Sequence, residues 1–318
     1  MKHKIIFLSL VTTLLVACST GQAPMQINSV TDERLQSQPT IAPATEAVLF
    51  AVTEAPVLAS TATPKPSLAK DAWMQMPVVP ISVSDAMVEV YERGLILGND
   101  PTHFSVIGDC QNVSSYFLST FEKTDDYSLG TEYAYLQPTI DYYHGSFSRV
   151  SVAVKGGFNA AAVISPLRAD PKTCNSNESP LDCELRLWRP SVVIVSMETW
   201  WSHKPAQEYD KYMRKVLDRI IETGAVPIIT TKADNLEGDN SINATVAQLA
   251  YEYDIPLWNF WSAIQPLPTH GLQPDLEHLT YGITDFDDPH AMQSAWTVRN
   301  LTALQTLDAV WRGVTGQP

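Results

Sequence analysis

Positive charge is scarce in this chain: 21 Lys and Arg stand against 35 Asp and Glu, a formal net charge of −14 over 318 residues. No basic cluster occurs, which argues against nucleic-acid binding and against adhesion to anionic lipid headgroups. Glycine is sparse too, at 14 residues, and none falls in a phosphate-cradling or dinucleotide-binding pattern. No nucleotide cofactor is therefore expected, and no other cofactor or metal. Long apolar runs are missing. The best, Ile5 to Ala17, is too short to span a bilayer as a permanent helix. Cysteine is limited to four residues, and each invites its own reading.

Lys2 and Lys4 precede that apolar run, and Leu15-Val16-Ala17-Cys18 closes it with a lipobox. Residues 1–17 therefore read as a bacterial lipoprotein signal peptide, with Cys18 the lipidated residue. The acyl chains would hold the mature protein on the outer, extracytoplasmic face of a membrane. Residues 18–72 are rich in Ala, Thr, Ser, Pro and Gln, with Pro64-Lys65-Pro66 the stiffest point. Such a segment has too little apolar surface to offset ordering entropy and is expected to be a disordered tether. Residues 73–318 suit one folded domain.

Within that domain strand and helix signals alternate. Phe104 to Ile107, Val150 to Val154, Ser191 to Ser196, Val226 to Thr230 and Pro256 to Phe260 read as strands. Helical spacing covers a stretch with Val113, Phe117, Leu118 and Phe121, then Glu132 to Tyr143, and a small-residue stretch from Asn159. It returns at Ala206 to Thr223, Ile242 to Tyr253 and Met292 to Trp311. Continuous apolar strands separated by helices imply parallel βαβ units, hence an α/β fold: a three-layer α/β/α sandwich with a mainly parallel sheet. Ligands in such sheets bind at the carboxyl ends of the strands, where Cys110, Gly157, Glu198 and Lys232 fall.

Two segments carry candidate chemistry. Phe104-Ser-Val-Ile-Gly-Asp-Cys110 is a strand that breaks at a turn and delivers a thiol, and Asp275-Leu-Glu-His278 sets a carboxylate three residues before an imidazole. A nucleophile with an oriented base is the minimum set for acyl transfer. Strand-Gly-Asp-nucleophile early and Asp-x-x-His late resembles the SGNH (GDSL) hydrolase superfamily, with Cys110 where that family carries serine. The resemblance covers most of Phe104 to Trp311. It implies an esterase or acyltransferase with Cys110 as nucleophile, His278 as base and Asp275 as its orienter. It also implies an oxyanion hole from the N–H groups of Cys110 and Gly157, the latter in Lys155-Gly-Gly-Phe-Asn159. The family's Gly-x-Asn-Asp block corresponds here to Met197-Glu-Thr-Trp-Trp201, which lacks both the glycine and the asparagine. Asn159 offers an amide that could aim into the hole; its alternative role is N-cap of the following helix.

An acylated glycan or another ester is the expected partner. Trp200 and Trp201 are candidate sugar-stacking residues beside the cleft, and Trp258 and Trp261 flank another strand end. The alternative is an inactive domain of this kind that binds envelope polysaccharide through Trp200 and Trp201. Cys174 and Cys183 bracket a polar loop and are expected to form a disulfide in an oxidising compartment. A metal reading there lacks a nearby histidine at ligand spacing.

Overall fold

A computed structural model describes residues 65–197 and 204–317 of this chain, all in the unit Thr61–Pro318. Cys18, Glu198, Trp200 and Trp201, with the readings placed on them, lie outside the described residues. The chain is an α/β protein built on a four-stranded, all-parallel sheet. In chain order it forms α1 (Asp85–Leu97), β1 (Asp100–Gly108), α2 (Gln137–Tyr142), α3 (Ala160–Val163), α4 (Pro180–Trp188) and β2 (Pro190–Ser196). There follow α5 (Ala206–Glu222), β3 (Val226–Thr230), α6 (Ser241–Tyr253), β4 (Leu257–Trp258), α7 (Phe260–Ile264) and α8 (Ala295–Thr315).

The strands line up as β1-β2-β3-β4. β2 and β3 are buried along their whole length, as their unbroken Val and Ile runs require. Helices cover both faces. α5 and α6, the crossovers flanking β3, pack on each other and on β3, while α1 and α8 pack on each other, α1 on β2 and β3, and α8 on β4. α5 shows the cause clearly: Tyr209, Met213, Val216, Leu217 and Ile220 recur at helical spacing and are all buried. Tyr212, on the same helix, is only half-buried.

Several expectations are corrected. The stretch after Cys110 is not an α-helix but short 3-10 turns at Cys110–Asn112 and Ser119–Glu122. Phe117, Leu118 and Phe121 are nevertheless buried, because Leu118 takes a left-handed φ of 64° and its N–H donates to Asn300 Oδ1 at 2.6 Å. Val150 to Val154 is not a strand. Only Val154 bridges to Gly108, in parallel, because Val154 N–H turns back to the Ser151 carbonyl.

That bridge still matters. It sets a segment on the far edge of β1 from β2, so the chain reverses its direction across the sheet at β1. Such a switch point opens a crevice at the strand's carboxyl end.

The N-terminal boundary also moves, since the chain packs from Lys65 onward rather than from residue 73. Lys65 pairs with Asp254 and donates to the Tyr251 carbonyl, Leu68 N–H donates to Gln248, and buried Trp73 accepts from Asn259 through its carbonyl. No helix among the described residues is long and apolar enough to cross a membrane.

Candidate active site

β1 ends at Gly108, and the turn beyond it is held by Asn112. A side-chain carbon at Gly108 would lie 2.2 Å from Asn112 Nδ2, so only glycine lets that amide fold back over the strand end. Asn112 Nδ2 donates to Asp109 Oδ1 at 3.3 Å and to the Ser196 carbonyl at the end of β2 at 2.9 Å. Asp109 is fully buried, and its Oδ1 also accepts the Gln111 N–H at 3.1 Å. Cys110, at the apex, is exposed and is not in a disulfide.

The second wall is the Lys155–Phe158 turn. Lys155 N–H donates to the Gly108 carbonyl, and Phe158 N–H closes the turn onto the Lys155 carbonyl at 3.0 Å. Gly157 has φ +77°, the left-handed conformation that favours glycine at this turn position. A side-chain carbon at Gly156 would sit 3.8 Å from Cys110 Cβ, whereas one at Gly157 would meet nothing within 4 Å. The Gly157 N–H donates to no group among the described residues.

Asn159 is the N-cap of α3: its Oδ1 accepts from Ala161 and Ala162 N–H at 3.1 and 2.9 Å. Its carbonyl oxygen is thus committed to the helix, the second of the two readings open from the sequence.

The third wall is the 275–278 loop. Asp275 Oδ2 lies 2.8 Å from His278 Nδ1, and Oδ1 accepts the N–H groups of Glu277 and His278 at 3.1 and 3.0 Å. These bonds, those from the His278 and Glu277 backbone first and the His278 ring next, push the Asp275 pKa down to about 2. The carboxylate is therefore ionised across the neutral range, fixing a proton on Nδ1 and leaving Nε2 as the basic atom. Gln111, next to Cys110, donates from Nε2 to the Glu277 carbonyl at 3.3 Å and ties the loop to the thiol-bearing turn.

Behind the site lies a fully buried cation that the sequence reading passed over. Arg299 of α8 donates from one guanidinium nitrogen to Ser196 Oγ at 2.8 Å and Asn112 Oδ1 at 3.2 Å. Its guanidinium carbon lies 4.8–5.1 Å from the ring centroids of Phe117, Trp258 and Phe260. Trp258 is thus a core residue, and Trp261 packs edge-on against Trp73 at 4.8 Å; neither is a free sugar platform. Lys232, at the end of β3, is buried between Asp234 and Glu237. Burial opposes its charge, yet the two carboxylates raise its pKa overall. It braces the loop after β3 rather than facing the crevice.

Cys174 and Cys183 are joined in a disulfide, with Cα atoms 5.3 Å apart. Neither a scan against protein-family models nor a search of curated proteins finds a match. The class that fold and site define is therefore set by this chain's own residues: a parallel α/β domain with a thiol, a Gly-Gly turn and an Asp–His pair at one strand end.

Proposed function

We propose that this chain is an extracytoplasmic, lipid-anchored ester hydrolase or acyltransferase of the SGNH type, acting on an acylated glycan or a comparable ester. The observation that carries the reading is the hydrogen bond from Gln111 to Glu277, which unites the Cys110 turn with the Asp275–His278 pair. The disulfide and the lipobox support an extracytoplasmic address.

In this reading His278 Nε2 takes the proton from Cys110 Sγ, and the sulfur attacks the ester carbonyl. The developing oxyanion faces the N–H groups of Gly157 and Cys110. The alcohol leaves with the proton held by His278, and the acyl group remains on Cys110 as a thioester. Water activated by His278 then releases the acid, or a sugar hydroxyl accepts the acyl group. Asp275 holds the imidazole in one tautomer throughout. Trp200 and Trp201 are the proposed sugar contacts.

The test is mass spectrometry of the protein after exposure to a p-nitrophenyl or thioester acyl donor. The expected result is an acyl adduct on Cys110, with Cys110→Ala and His278→Ala losing comparable activity, since residues acting as a unit are non-additive. Wild-type turnover equal to that of Cys110→Ala would reject the reading. It would favour a binding module if a Trp200→Ala, Trp201→Ala double variant then lost polysaccharide binding.

A further inference from the structure

Four exposed apolar side chains sit in the two segments that carry the candidate chemistry. Tyr116 follows the Cys110 turn, and Leu276, Tyr281 and Ile283 bracket His278 in sequence; each is more than half exposed. The segments are tied at two points. Gln111 joins Glu277, and the Tyr116 and Tyr281 rings meet with centroids 6.0 Å apart. Trp296 of α8 backs them, 5.6 Å from Tyr116. Both tyrosines are also pinned to the first turns of α8. Asn300 Nδ2 donates to the Tyr116 carbonyl at 3.1 Å, Trp296 N–H to the Thr280 carbonyl at 3.1 Å, and Thr297 Oγ1 to the Ile283 carbonyl at 2.9 Å. A side-chain carbon at Gly282 would lie 2.5 Å from Ser294 Cβ, so glycine lets Tyr281 and Ile283 ride this close to the helix. The aromatic face is fixed before any ligand arrives, which removes an ordering cost from binding.

Charge restricts what such a face can take. Residues 110–118 and 275–290 contain no Lys or Arg, and the second segment carries five Asp and Glu. Arg299, 6.0 Å from the Trp296 ring centroid, is fully buried. Nucleobases stack on exposed aromatics, but their phosphates need cations, as do anionic lipid headgroups. A stable protein interface takes about 20–30 residues a side, far more than this patch offers. An acyl chain seeks enclosure, which side chains this exposed do not give. We propose that Tyr116 and Tyr281 form a stacking subsite for the uncharged pyranose rings of a glycan. The apolar C–H face of a ring would cover the tyrosines, and its hydroxyls would donate to the exposed carboxylates of the same segments. Tyr281 lies three residues from His278, a reach of at most about 11 Å, so a chain stacked here is held beside the imidazole. The proposal deepens the glycan reading above and rests on it, but it needs no chemistry at Cys110.

The experiment is saturation-transfer NMR and titration of the full chain with cellohexaose, chitohexaose and a galacturonate hexamer as probes. These unacylated oligosaccharides offer no ester, so a hydrolase reading that failed at Cys110 would leave their affinities untouched. A neutral hexamer should bind with saturation strongest at ring C–H protons, and the uronate should bind more weakly. Tyr116→Ala and Tyr281→Ala should each weaken the neutral hexamer by about tenfold, the scale of one aromatic contact. Tyr116→Phe and Tyr281→Phe, which keep the rings, should retain most of the affinity and so separate stacking from damage to the fold. No saturation of either neutral hexamer, or wild-type affinity in a Tyr116→Ala, Tyr281→Ala double variant, would overturn the proposal. Tighter binding of the uronate than of the neutral chains would overturn it as well, because the face would then be selecting charge.

Discussion

The side-chain amide of Gln111 donates to the backbone carbonyl of Glu277 at 3.3 Å, across 166 residues of sequence. This bond joins the exposed thiol's turn to the loop that aims the imidazole. One such bond contributes about 1 kcal/mol to stability, so Gln111→Ala should fold normally. Its effect should be on geometry: turnover in an acyl-transfer assay should fall about tenfold or more, with KM little changed, because small displacements of reacting groups are costly. Wild-type turnover in an active preparation would show that the loop is positioned by its other contacts alone.

Asp275 has a pKa pushed down to about 2 from an ordinary 3.8. A depressed carboxyl stabilises the fold above its unfolded pKa and loses that contribution as pH falls through the folded value. The Asp275–His278 arrangement should therefore be intact from about pH 4 upward and fail only toward pH 2. Carbon-detected NMR of the Asp275 carboxyl should give a midpoint near 2, and one at 4 or above would contradict the bonding described. A corollary is that a pH dependence of Cys110 alkylation between pH 5 and 9 does not come from Asp275.

How far the sequence speaks depends on where a residue's partners lie. β2 and β3 were readable because strands buried on both faces must be continuously apolar, and α5 because its buried residues keep one period. α1 escaped notice since exposed Leu95, Ile96 and Leu97 blur its stripe, and α4 because it is short and mixed in character. The helix expected after Cys110 had the right residues buried on the wrong backbone, its path being dictated by Asn300 from the far end of the chain. In the site, the 275–278 pairing is local and therefore legible. The Gln111–Glu277 and Asn112–Arg299 contacts span 166 and 187 residues, and no local pattern encodes them.

The Cys174–Cys183 bridge closes a loop of sequence separation nine. It ties the polar loop to α4, in which Cys183 is fully buried. Loop-closure entropy assigns it roughly 2–3 kcal/mol. A Cys174→Ser, Cys183→Ser double variant should lose about that much in urea unfolding, while Cys110 in the same preparation stays open to iodoacetamide. Two alkylatable thiols at these positions in the non-reduced wild type would refute the bridge.

Arg299 is the deepest polar commitment near the site, and its removal should register in both stability and chemistry. Its guanidinium is fully buried and reaches Ser196 and Asn112, and Asn112 in turn holds Asp109 and the turn that carries Cys110. Arg299→Met keeps much of the packing against Phe117, Trp258 and Phe260 but leaves the buried oxygens of Ser196 and Asn112 without this donor. Hydrogen bonds to a charged group contribute about 1.5–3 kcal/mol each, so the two together imply a loss of about 3–6 kcal/mol in urea unfolding. Arg299→Lys should recover only part of it, because a compact, strongly hydrated ammonium cannot reproduce the guanidinium's stacking among Phe117, Trp258 and Phe260. Cys110 should also alkylate at a different rate in Arg299→Met under conditions where the variant is fully folded, since its turn has lost its anchor. A variant with wild-type unfolding midpoint and unchanged alkylation would mean that the aromatic cage, not the hydrogen bonds, holds this end of α8 in place.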